Sequence, residues 1–493
     1  MRIEFFSWGA AQEVTGSKHF LRVKDQLILV DCGAFQGHRE EADRKNREWS
    51  FDASEIDAMI LTHAHFDHSG LIPRLPQKGF NGNIYTTPAS RDLASLIMMD
   101  SAHLQAKDLE FLNKRSKKRG EKFEKEPLYT ERDVVACLEQ FMTISYNRPF
   151  FIADGIQAEF YDAGHILGAA ITVITVNQNG QTMKIGFSGD LGRKNLPILR
   201  DPKVIPDVDY LIMESTYGHK LHDPMDVAMD KLADAVNRTV KRGGKIIIPA
   251  FAVGRTQDIV YYLHLLSDRR KIPKIPIYVD SPMATNATTI FQVHQECYDD
   301  ETRQAFLDHH KNPFGFNELR YVADVEESKR LNTLKEPAII ISSSGMCEAG
   351  RILHHLANNI ENPKNTILIV GFMAQDTLGR RIKEQQAEVR ILGDTYKLKA
   401  EVVTMNAFSA HADYSEILEY ISHLNYHRVG ADSPQSESRP SLNATSAHQR
   451  KTRLKEIFLV HGEPDAQSNL KCLLDEKGYK TTIVKYGEKY YLL

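Results

Sequence analysis

Four side chains that can bind a metal ion follow a short apolar segment near residue 60. The apolar residues 58–61 are typical of a buried strand, and His63, His65, Asp67 and His68 come directly after them. In an extended or tightly turning segment, His63 and His65 point the same way, while Asp67 and His68 lie on the following turn and face a second ion. Zinc prefers imidazole and carboxylate ligands, and neighbouring sites hold two ions about 3.5–4 Å apart. The cluster therefore predicts a metal centre at a strand end.

Three more strand-like segments end in a residue that could belong to such a centre. Asp31 closes one of them, while His165 and Asp190 each follow an apolar strand and a glycine. An aspartate at a strand end is commonly only a cap, and a single histidine there would mean little. Placed after the first cluster, however, His165 and Asp190 bring the number of candidate ligands to six in one chain order.

The sequence from His63 to His68 resembles the HxHxDH motif of the metallo-β-lactamase superfamily. Asp31, His165 and Asp190 are similar to the first, third and fourth motifs of that superfamily. The resemblance implies an αββα sandwich in which Asp31 does not bind metal. Asp31 would instead orient histidine ligands through hydrogen bonds, the way such neighbouring groups fix imidazole tautomers.

Three later segments resemble motifs A, B and C of the β-CASP nucleases, a branch of this superfamily that acts on nucleic acids. They are Met-Glu-Ser-Thr-Tyr-Gly around Glu214, Phe-Ser-Ala-His-Ala-Asp around His411, and Val-His-Gly-Glu around His461. The resemblance spans essentially the whole chain and is closest to the bacterial counterparts of the pre-mRNA 3′-end cleavage endonuclease. RNA-acting members carry histidine in motif C where DNA-acting members commonly carry valine, so His461 indicates RNA.

The resemblance implies two zinc ions held by seven side chains. One ion would be bound by His63, His65 and His165, the other by Asp67, His68 and His461, and Asp190 would bridge them. Mixed histidine and carboxylate sites accept manganese as well as zinc, so manganese stays open.

The implied activity is a zinc-dependent ribonuclease that cuts single-stranded RNA, chiefly as an endonuclease, and leaves 5′-phosphate and 3′-hydroxyl ends. Asp67 would help to orient the attacking water. His411 would protonate the leaving oxygen, with Glu214 keeping the imidazole charged and oriented. Three alternatives remain: a thioester or lactam hydrolase, a DNA nuclease and a non-catalytic RNA-processing subunit. The long region after residue 215 and the His411 motif argue against the first of them.

Between motifs A and B the sequence alternates strand and helix. Strands are predicted at residues 245–249, 275–279, 338–342 and 366–370, each before a helical pattern. Such repeats predict a parallel sheet covered by helices. A further strand is predicted at residues 396–404.

The resemblance implies that this parallel-sheet β-CASP domain is inserted into the metallo-β-lactamase domain. We therefore expect an α/β protein with three segments. Residues 1–215 and 395–493 would form the two parts of the metallo-β-lactamase domain, and residues 216–394 the inserted domain.

Turns in the predicted inserted domain are candidates for phosphate binding. Ser343, Ser344 and Gly345 follow one predicted strand, and Arg255 follows another. Backbone N–H groups at a strand-to-helix turn suit phosphate oxygens. Because such turns occur in any α/β domain, these four residues are weaker candidates than the metal ligands.

Composition limits the partners and the compartment. The 493 residues carry a formal net charge of −3, so RNA contacts must come from local basic patches or bound metal. Five scattered cysteines give neither a disulfide framework nor a zinc ribbon, which favours the cytoplasm. The sequence shows no signal peptide and no membrane-spanning segment. A homodimer stays open.

Two polar stretches are predicted to lie at the surface. The basic tract at residues 114–122 is predicted to be a solvated helix end or loop, with contact to the RNA backbone as the alternative. Residues 430–453 are rich in serine, proline and basic residues and are predicted to form a long loop.

Overall fold

The computed structural model describes residues 2–37, 39–119, 125–309, 314–371, 373, 376–424 and 454–493. These residues form an α/β fold built around three large sheets, as the sequence predicts. The predicted loop at 430–453 and residues 120–122 of the basic tract lie outside the described part. Residues 114–119 of that tract form the end of a long helix.

The first sheet contains seven strands, numbered here along the chain. They are β1 (Ile3–Ser7), β2 (His19–Val23), β3 (Gln26–Val30), β4 (Ala58–Ile60), β5 (Asn83–Thr86), β6 (Phe141–Thr143) and β22 (Tyr490–Leu492). In space β22 lies beside β1, and the others follow in chain order. The last strand of the chain thus closes the sheet that the first strand begins.

The second sheet also contains seven strands. They are β7 (Phe150–Ala153), β8 (Ile156–Asp162), β9 (Ala170–Gln178), β10 (Gln181–Phe187), β11 (Tyr210–Glu214), β20 (Glu456–Val460) and β21 (Thr481–Ile483). The parallel neighbours β11 and β20 pair Glu214 with Val460, although the third sheet lies between them in the sequence. The third sheet is therefore part of an insertion into the second, as the resemblance implied.

Alternating side chains pack these two sheets against each other. In β1, Ile3 and Phe5 join a core shared by both sheets, while Phe6 joins the core on the other face. In β11, Tyr210 and Ile212 face the shared core in the same way. Because successive side chains of a strand point to opposite faces, one face of each sheet packs on the other sheet and one on helices. This is the predicted αββα sandwich.

The third sheet consists of six parallel strands. They are β12 (Ile246–Pro249), β13 (Ile277–Val279), β14 (Leu319–Tyr321), β15 (Ile339–Ser342), β16 (Thr366–Ile369) and β19 (Glu401–Thr404). Ile246 and Ile248 pack on one face of this sheet and Ile247 on the other. Burial on both faces explains the continuous apolar runs from which a parallel sheet was predicted.

The predicted strand at 396–404 is wrong as a single element. It is divided between β18 (Asp394–Lys397), which forms a hairpin with β17 (Glu388–Ile391), and β19, which pairs with β16. The ladder breaks because the amides of Lys399 and Ala400 both donate to the carbonyl of Ile360. Since β19 belongs to the third sheet, we propose that the inserted domain continues to about residue 404 rather than 394.

Fourteen α-helices cover the sheets within the described residues. They are α1 (Arg39–Arg47), α2 (Phe66–Ser69), α3 (Arg74–Gln77), α4 (Pro88–Arg119), α5 (Glu131–Leu138), α6 (Met225–Lys241), α7 (Arg255–Asp268), α8 (Pro282–Val293), α9 (Asp300–His309), α10 (Val325–Asn332), α11 (Arg351–Asn359), α12 (Leu378–Lys383), α13 (Tyr414–Leu424) and α14 (Pro464–Glu476). Among the helices described, none is both long and apolar enough to cross a bilayer.

Strand ends of the sandwich position the predicted site. The residues concerned are Asp31 after β3, His63 after β4, His165 after β8, Asp190 after β10, Glu214 at the end of β11 and His461 after β20. β3 runs parallel to β4, and β10, β11 and β20 are mutually parallel. Carboxyl ends of parallel strands lie at one edge of a sheet, so these side chains meet at one edge of the sandwich.

A histidine connects the inserted domain to the first part of the sandwich. His294 caps the end of α8, and its Nε2 lies 2.9 Å from Asp92 Oδ2 on α4. Its Nδ1 lies 2.7 Å from Glu296 Oε1, and Arg91 pairs with the other oxygen of Asp92. Burial lowers the pKa of His294, but its hydrogen bonds to Asp92 and Glu296 outweigh burial and raise it above the ordinary value.

Stability should therefore depend on pH through His294. A pKa that folding raises stabilises the protein fully below the unfolded value of about 6.5, and this contribution disappears as pH rises through the folded value. We expect His294→Gln to cost about 1 kcal/mol at pH 5.5, measured as a lower melting temperature, and much less at pH 9. His103→Gln, in the exposed pair with Glu131, should change little at either pH. An equal loss for His294→Gln at both pH values would contradict the assignment.

Candidate metal centre and active site

Four donor atoms from three strand ends converge on one point. His65 Nδ1 lies 3.1 Å from His63 Nε2 and 3.1 Å from His165 Nε2. Asp190 Oδ2 lies 3.4 Å from each of the same two Nε2 atoms. Around a zinc ion with bonds of about 2.0–2.1 Å, the edges of a ligand tetrahedron measure about 3.3–3.4 Å. The spacing therefore fits a four-coordinate metal ion.

A second group of donors lies on the other side of Asp190. His68 Nε2 is 3.2 Å from His461 Nε2 and 3.3 Å from Asp190 Oδ1. His461 Nε2 is 3.4 Å from Asp67 Oδ2. The two carboxylate oxygens of Asp190 thus face two different groups of ligands. This is the arrangement of a carboxylate that bridges two metal ions.

The burial and hydrogen bonding of Asp190 also fit a bound cation. The side chain is 2% exposed, and its Oδ1 accepts no hydrogen bond from the described residues. A buried carboxylate is stable only when it is paired, hydrogen-bonded or bound to metal. The clustered imidazole nitrogens lie about 3 Å apart. They cannot all hydrogen-bond to one another, because each hydrogen bond needs a donor facing an acceptor. A metal ion would satisfy all of these atoms together.

The histidines of the first group are held in the neutral form that metal binding requires. Burial, together with the neighbouring imidazole groups of His63 and His411, lowers the pKa of His65 to about 3. Burial likewise lowers the pKa of His63 and that of His165. Asp190 stays ionised, because the surrounding histidines outweigh burial and hold its pKa well below the usual range.

Asp31 orients His68. Its Oδ2 accepts a hydrogen bond of 2.7 Å from His68 Nδ1, which leaves the Nε2 lone pair facing the second group. Thr62 donates to the other side of this carboxylate through its backbone N–H, at 2.8 Å. Burial lowers the pKa of His68, but Asp190 and Asp31 outweigh burial and raise it well above the usual value. The same negative potential favours a metal cation.

Two threonines that the sequence did not single out contact histidines of the two candidate ligand groups. Thr62 Oγ1 lies 3.1 Å from His63 Nδ1, and Thr216 Oγ1 lies 3.1 Å from His461 Nδ1. The Thr62 hydroxyl contacts the ring nitrogen of His63 that does not face the first group. His461 Nδ1 contacts Thr216 and also lies 3.5 Å from Asp190 Oδ1. The only sequence signal of the two threonines is position, since Thr62 precedes the His63–His68 motif and Thr216 belongs to motif A.

His411 and Glu214 form a pair beside both groups. His411 Nδ1 lies 3.1 and 3.2 Å from the two Glu214 oxygens, and 3.9 Å from Asp190 Oδ2. The Glu214 side chain is fully buried, and its Oε1 accepts a bond of 2.7 Å from the Leu191 N–H. The His411 side chain is 20% exposed. One end of the imidazole is therefore fixed by Glu214, while Nε2 makes no hydrogen bond with the described residues.

The charge of His411 follows from its neighbours. Burial alone would lower its pKa, but Glu214 and Asp190 outweigh burial and raise the pKa to about 9. The imidazole is therefore protonated at neutral pH. A protonated group beside a candidate metal centre has the properties of a general acid.

His222 was missed by the sequence analysis. Its Nε2 donates a hydrogen bond of 3.0 Å to the His411 carbonyl, and its backbone N–H donates 3.0 Å to Asp413 Oδ2. The ring of Tyr217 lies between the two histidines, 4.5 Å from His222 and 6.1 Å from His411 between ring centroids. His222 thus restrains the backbone that carries His411. The only sequence signal for this role is the position of His222 shortly after motif A.

The structure brings the predicted phosphate contacts to one edge of the third sheet. Ser343, Ser344 and Gly345 follow β15, and Arg255 begins α7 after the neighbouring strand β12. The hydroxyl of Ser343 bonds to Ser281 at 2.9 Å, and that of Ser344 accepts from the Glu348 N–H at 3.2 Å. Arg255 pairs with Asp258 at 3.0 Å. These polar groups have partners, and phosphate binding stays a prediction.

Three family models match successive parts of the chain. Residues 16–250 match the metallo-beta-lactamase superfamily, and residues 256–382 match the Beta-Casp domain. Residues 395–429 match the Zn-dependent metallo-hydrolase RNA specificity domain. The matches occur in the order that the motifs predicted.

A curated relative matches over nearly the whole length. Ribonuclease TTHA0252 of Thermus thermophilus is 34% identical over 99% of this chain and 99% of that protein. The chain belongs to the β-CASP branch of the metallo-β-lactamase superfamily. Membership confirms the resemblance inferred from the motifs, and it implies divalent metal binding.

Another relative of this β-CASP protein has a different name, and a solved structure shares its fold. Transcription termination factor FttA of Methanosarcina mazei is 30% identical over 92% of this chain and 70% of that protein. A crystal structure of a protein of unknown function from Enterococcus faecalis V583 covers both chains fully, with a TM-score of 0.50 and 13% sequence identity. That last likeness concerns the fold alone.

Metal counting tests the two ligand groups. We expect the wild-type β-CASP protein to hold two ions per chain and His461→Ala to hold about one, because only the second group loses a donor. Chelation should lower the melting temperature and added zinc should restore it, since a ligand that binds only the folded state stabilises it. His294→Gln should keep two ions, because His294 hydrogen-bonds to Asp92 and Glu296 and to no donor atom of either group. Two tightly held ions in His461→Ala would contradict the assignment.

Proposed function

We propose that this chain, a metal-dependent ribonuclease by family, uses two zinc ions to cut single-stranded RNA internally and leaves 5′-phosphate and 3′-hydroxyl ends. The observation that carries the proposal is the position of Asp190, whose two oxygens face two groups of ligands beside the His411–Glu214 pair. Two ions bridged by one carboxylate would suit in-line hydrolysis of a phosphodiester. Manganese remains an alternative to zinc.

The choice of RNA rests on three supports. Residues 395–429, which include His411, match a model described as an RNA specificity domain. The relative from Thermus thermophilus is named a ribonuclease. Motif C carries His461, which lies among the ligands of the second group. Together these favour RNA over a small-molecule ester or DNA.

The ligands and their neighbours prepare the metal chemistry. Bound zinc would supply a water of pKa about 7 for attack at phosphorus and would neutralise charge on the phosphoryl oxygens. Asp31 and Thr216 hold His68 and His461 by hydrogen bonds, so that each Nε2 faces the same point. Asp67 stays ionised, because its hydrogen bond to His461 and the charge of His68 outweigh burial and lower its pKa. An ionised Asp67 can bind metal and accept a hydrogen bond from the attacking water.

His411 would supply the proton that the leaving 3′ oxygen needs. Its Nδ1 faces the Glu214 carboxylate, so the transferable proton is on Nε2. Glu214 stabilises the imidazolium and keeps the ring from turning. The pair therefore acts as a charged, oriented general acid.

The pH dependence of cleavage tests this role. A general acid works in its protonated form, so a His411 pKa of about 9 predicts that kcat declines above about pH 9. Glu214→Gln removes the charge that raises the pKa. We expect this variant to be slower and to lose activity at lower pH, toward the ordinary histidine value of about 6.5. If kcat declines at the same alkaline pH in Glu214→Gln as in the wild type, the assignment of His411 as the general acid is wrong.

His222 should affect proton transfer without touching the substrate. We expect His222→Ala to lower kcat for RNA by about 10- to 100-fold with little change in KM, because a small displacement of His411 is costly. Hydrolysis of bis(p-nitrophenyl) phosphate should fall far less, since its leaving group needs no proton. Leu221→Ala, at the exposed neighbouring residue, is the matched control. Equal losses on both substrates would indicate a general structural defect instead.

The proposed function is tested with zinc-loaded protein and 5′-labelled single-stranded RNA, beside the DNA of the same sequence. We expect internal RNA fragments with 3′-hydroxyl ends, much slower cleavage of DNA, and no fragments with Asp67→Ala. If mononucleotides are the only products, the enzyme is an exonuclease and not an endonuclease. Intact RNA after incubation with the two-metal wild type would overturn the proposal.

A further inference from the structure

One aromatic side chain is exposed in a turn that is otherwise buried. Phe251 follows β12 and is 40% exposed, whereas Ala250, Ala252 and Val253 around it are at most 6% exposed. Single exposed apolar residues are common on protein surfaces and need no explanation by themselves. Phe251 differs from them in its rigid support and in its position.

The backbone of this turn is fixed. The carbonyl of Phe251 accepts hydrogen bonds from both the N–H and the hydroxyl of Thr256, at 3.2 and 2.7 Å. The N–H of Ala250 donates to the carbonyl of Ser342 on β15, at 3.1 Å. The aromatic ring is therefore presented from a rigid base, and little conformational entropy is lost when a ligand contacts it.

A glycine supports the ring on one side. A Cβ added at Gly345 would lie 2.9 Å from the nearest ring atom of Phe251, closer than real Cβ contacts. The ring therefore packs on the backbone of the turn that carries Ser343 and Ser344. An aromatic platform and candidate phosphate contacts thus lie together at one sheet edge, a combination that suits a nucleotide.

The same turn contacts the catalytic edge of the sandwich. A Cβ at Gly254 would lie 3.3 Å from the Cγ2 atom of Ile166, and Ile166 follows the candidate ligand His165. Arg255, the next residue, lies close enough to lower the pKa of Tyr217, although burial outweighs it. Tyr217 is in turn 6.1 Å from His411 between ring centroids. Phe251 is thus in the part of the inserted domain that borders the metal centre.

We propose that Phe251 is a stacking platform for one base of the RNA substrate, next to the cleaved phosphodiester. The inference rests on the proposed function, because it takes RNA as the ligand. Every base offers a flat π face, so stacking would hold the strand without selecting a sequence. It would also explain why a large apolar ring remains exposed beside polar catalytic groups.

The test measures binding, separately from cleavage. Zinc-loaded full-length protein is mixed by stopped flow with single-stranded RNAs that carry 2-aminopurine at successive positions, and fluorescence is followed before cleavage occurs. Stacking on an aromatic ring quenches this base analogue. We compare the wild type with Phe251→Leu, which keeps an apolar side chain without a π face, and with Phe251→Trp, which restores one. Phe151→Ala, at a 71% exposed ring on the edge strand β7, is the matched control.

We expect quenching at one position in the wild type, Phe251→Trp and Phe151→Ala. Phe251→Leu should lose the quenching and bind RNA about tenfold more weakly, in the range found for single base stacks. Equal affinity and quenching in Phe251→Leu, with tight binding by the wild type, would overturn this inference alone. No RNA binding by the wild type would overturn the proposed function, and this inference with it.

Discussion

The buried carboxylate of Asp190 is the constraint on which the site depends. A carboxylate that is 2% exposed, with one oxygen lacking a hydrogen bond from the described residues, needs positive charge nearby. The three histidines of the first group do not supply it, because burial lowers the pKa of His63, His65 and His165. Bound metal ions would supply the positive charge that Asp190 needs and would also bind the neutral imidazoles. The other features of the site, from the Asp31 hydrogen bond to the position of His411, are arranged around this pair of ligand groups.

The order of elements along the chain makes this site depend on the whole fold. His461 meets His68 at 3.2 Å across 393 residues of sequence, because β20 pairs with β11 after the inserted domain has been completed. His411 is held by Glu214 from the end of β11 and by His222 from the segment that leads into the insertion. The segments that follow the inserted domain therefore bring His411 and His461 to the candidate metal centre.

The sequence predicted the parts of this structure that local pattern controls. The four strands named for the third sheet are all present, because short buried strands produce continuous apolar runs. The seven candidate ligands meet in two groups, although their roles stay predictions. The single strand at 396–404 failed because tertiary hydrogen bonds to Ile360 divide it. Thr62 contacts Asp31 and His222 contacts His411 only in the folded chain, so the position of each residue beside a motif was a weak signal. The homodimer and the cytoplasmic location also stay predictions.

The most direct test of the account is anomalous X-ray diffraction from crystals of the zinc-loaded protein, recorded above and below the zinc absorption edge. The account predicts two zinc peaks about 3.5–4 Å apart. One should lie among His63, His65 and His165 and the other among Asp67, His68 and His461, with an Asp190 oxygen directed at each. A single peak, or two peaks with Asp190 turned away from either, would contradict the bridging role from which the rest of the mechanism follows.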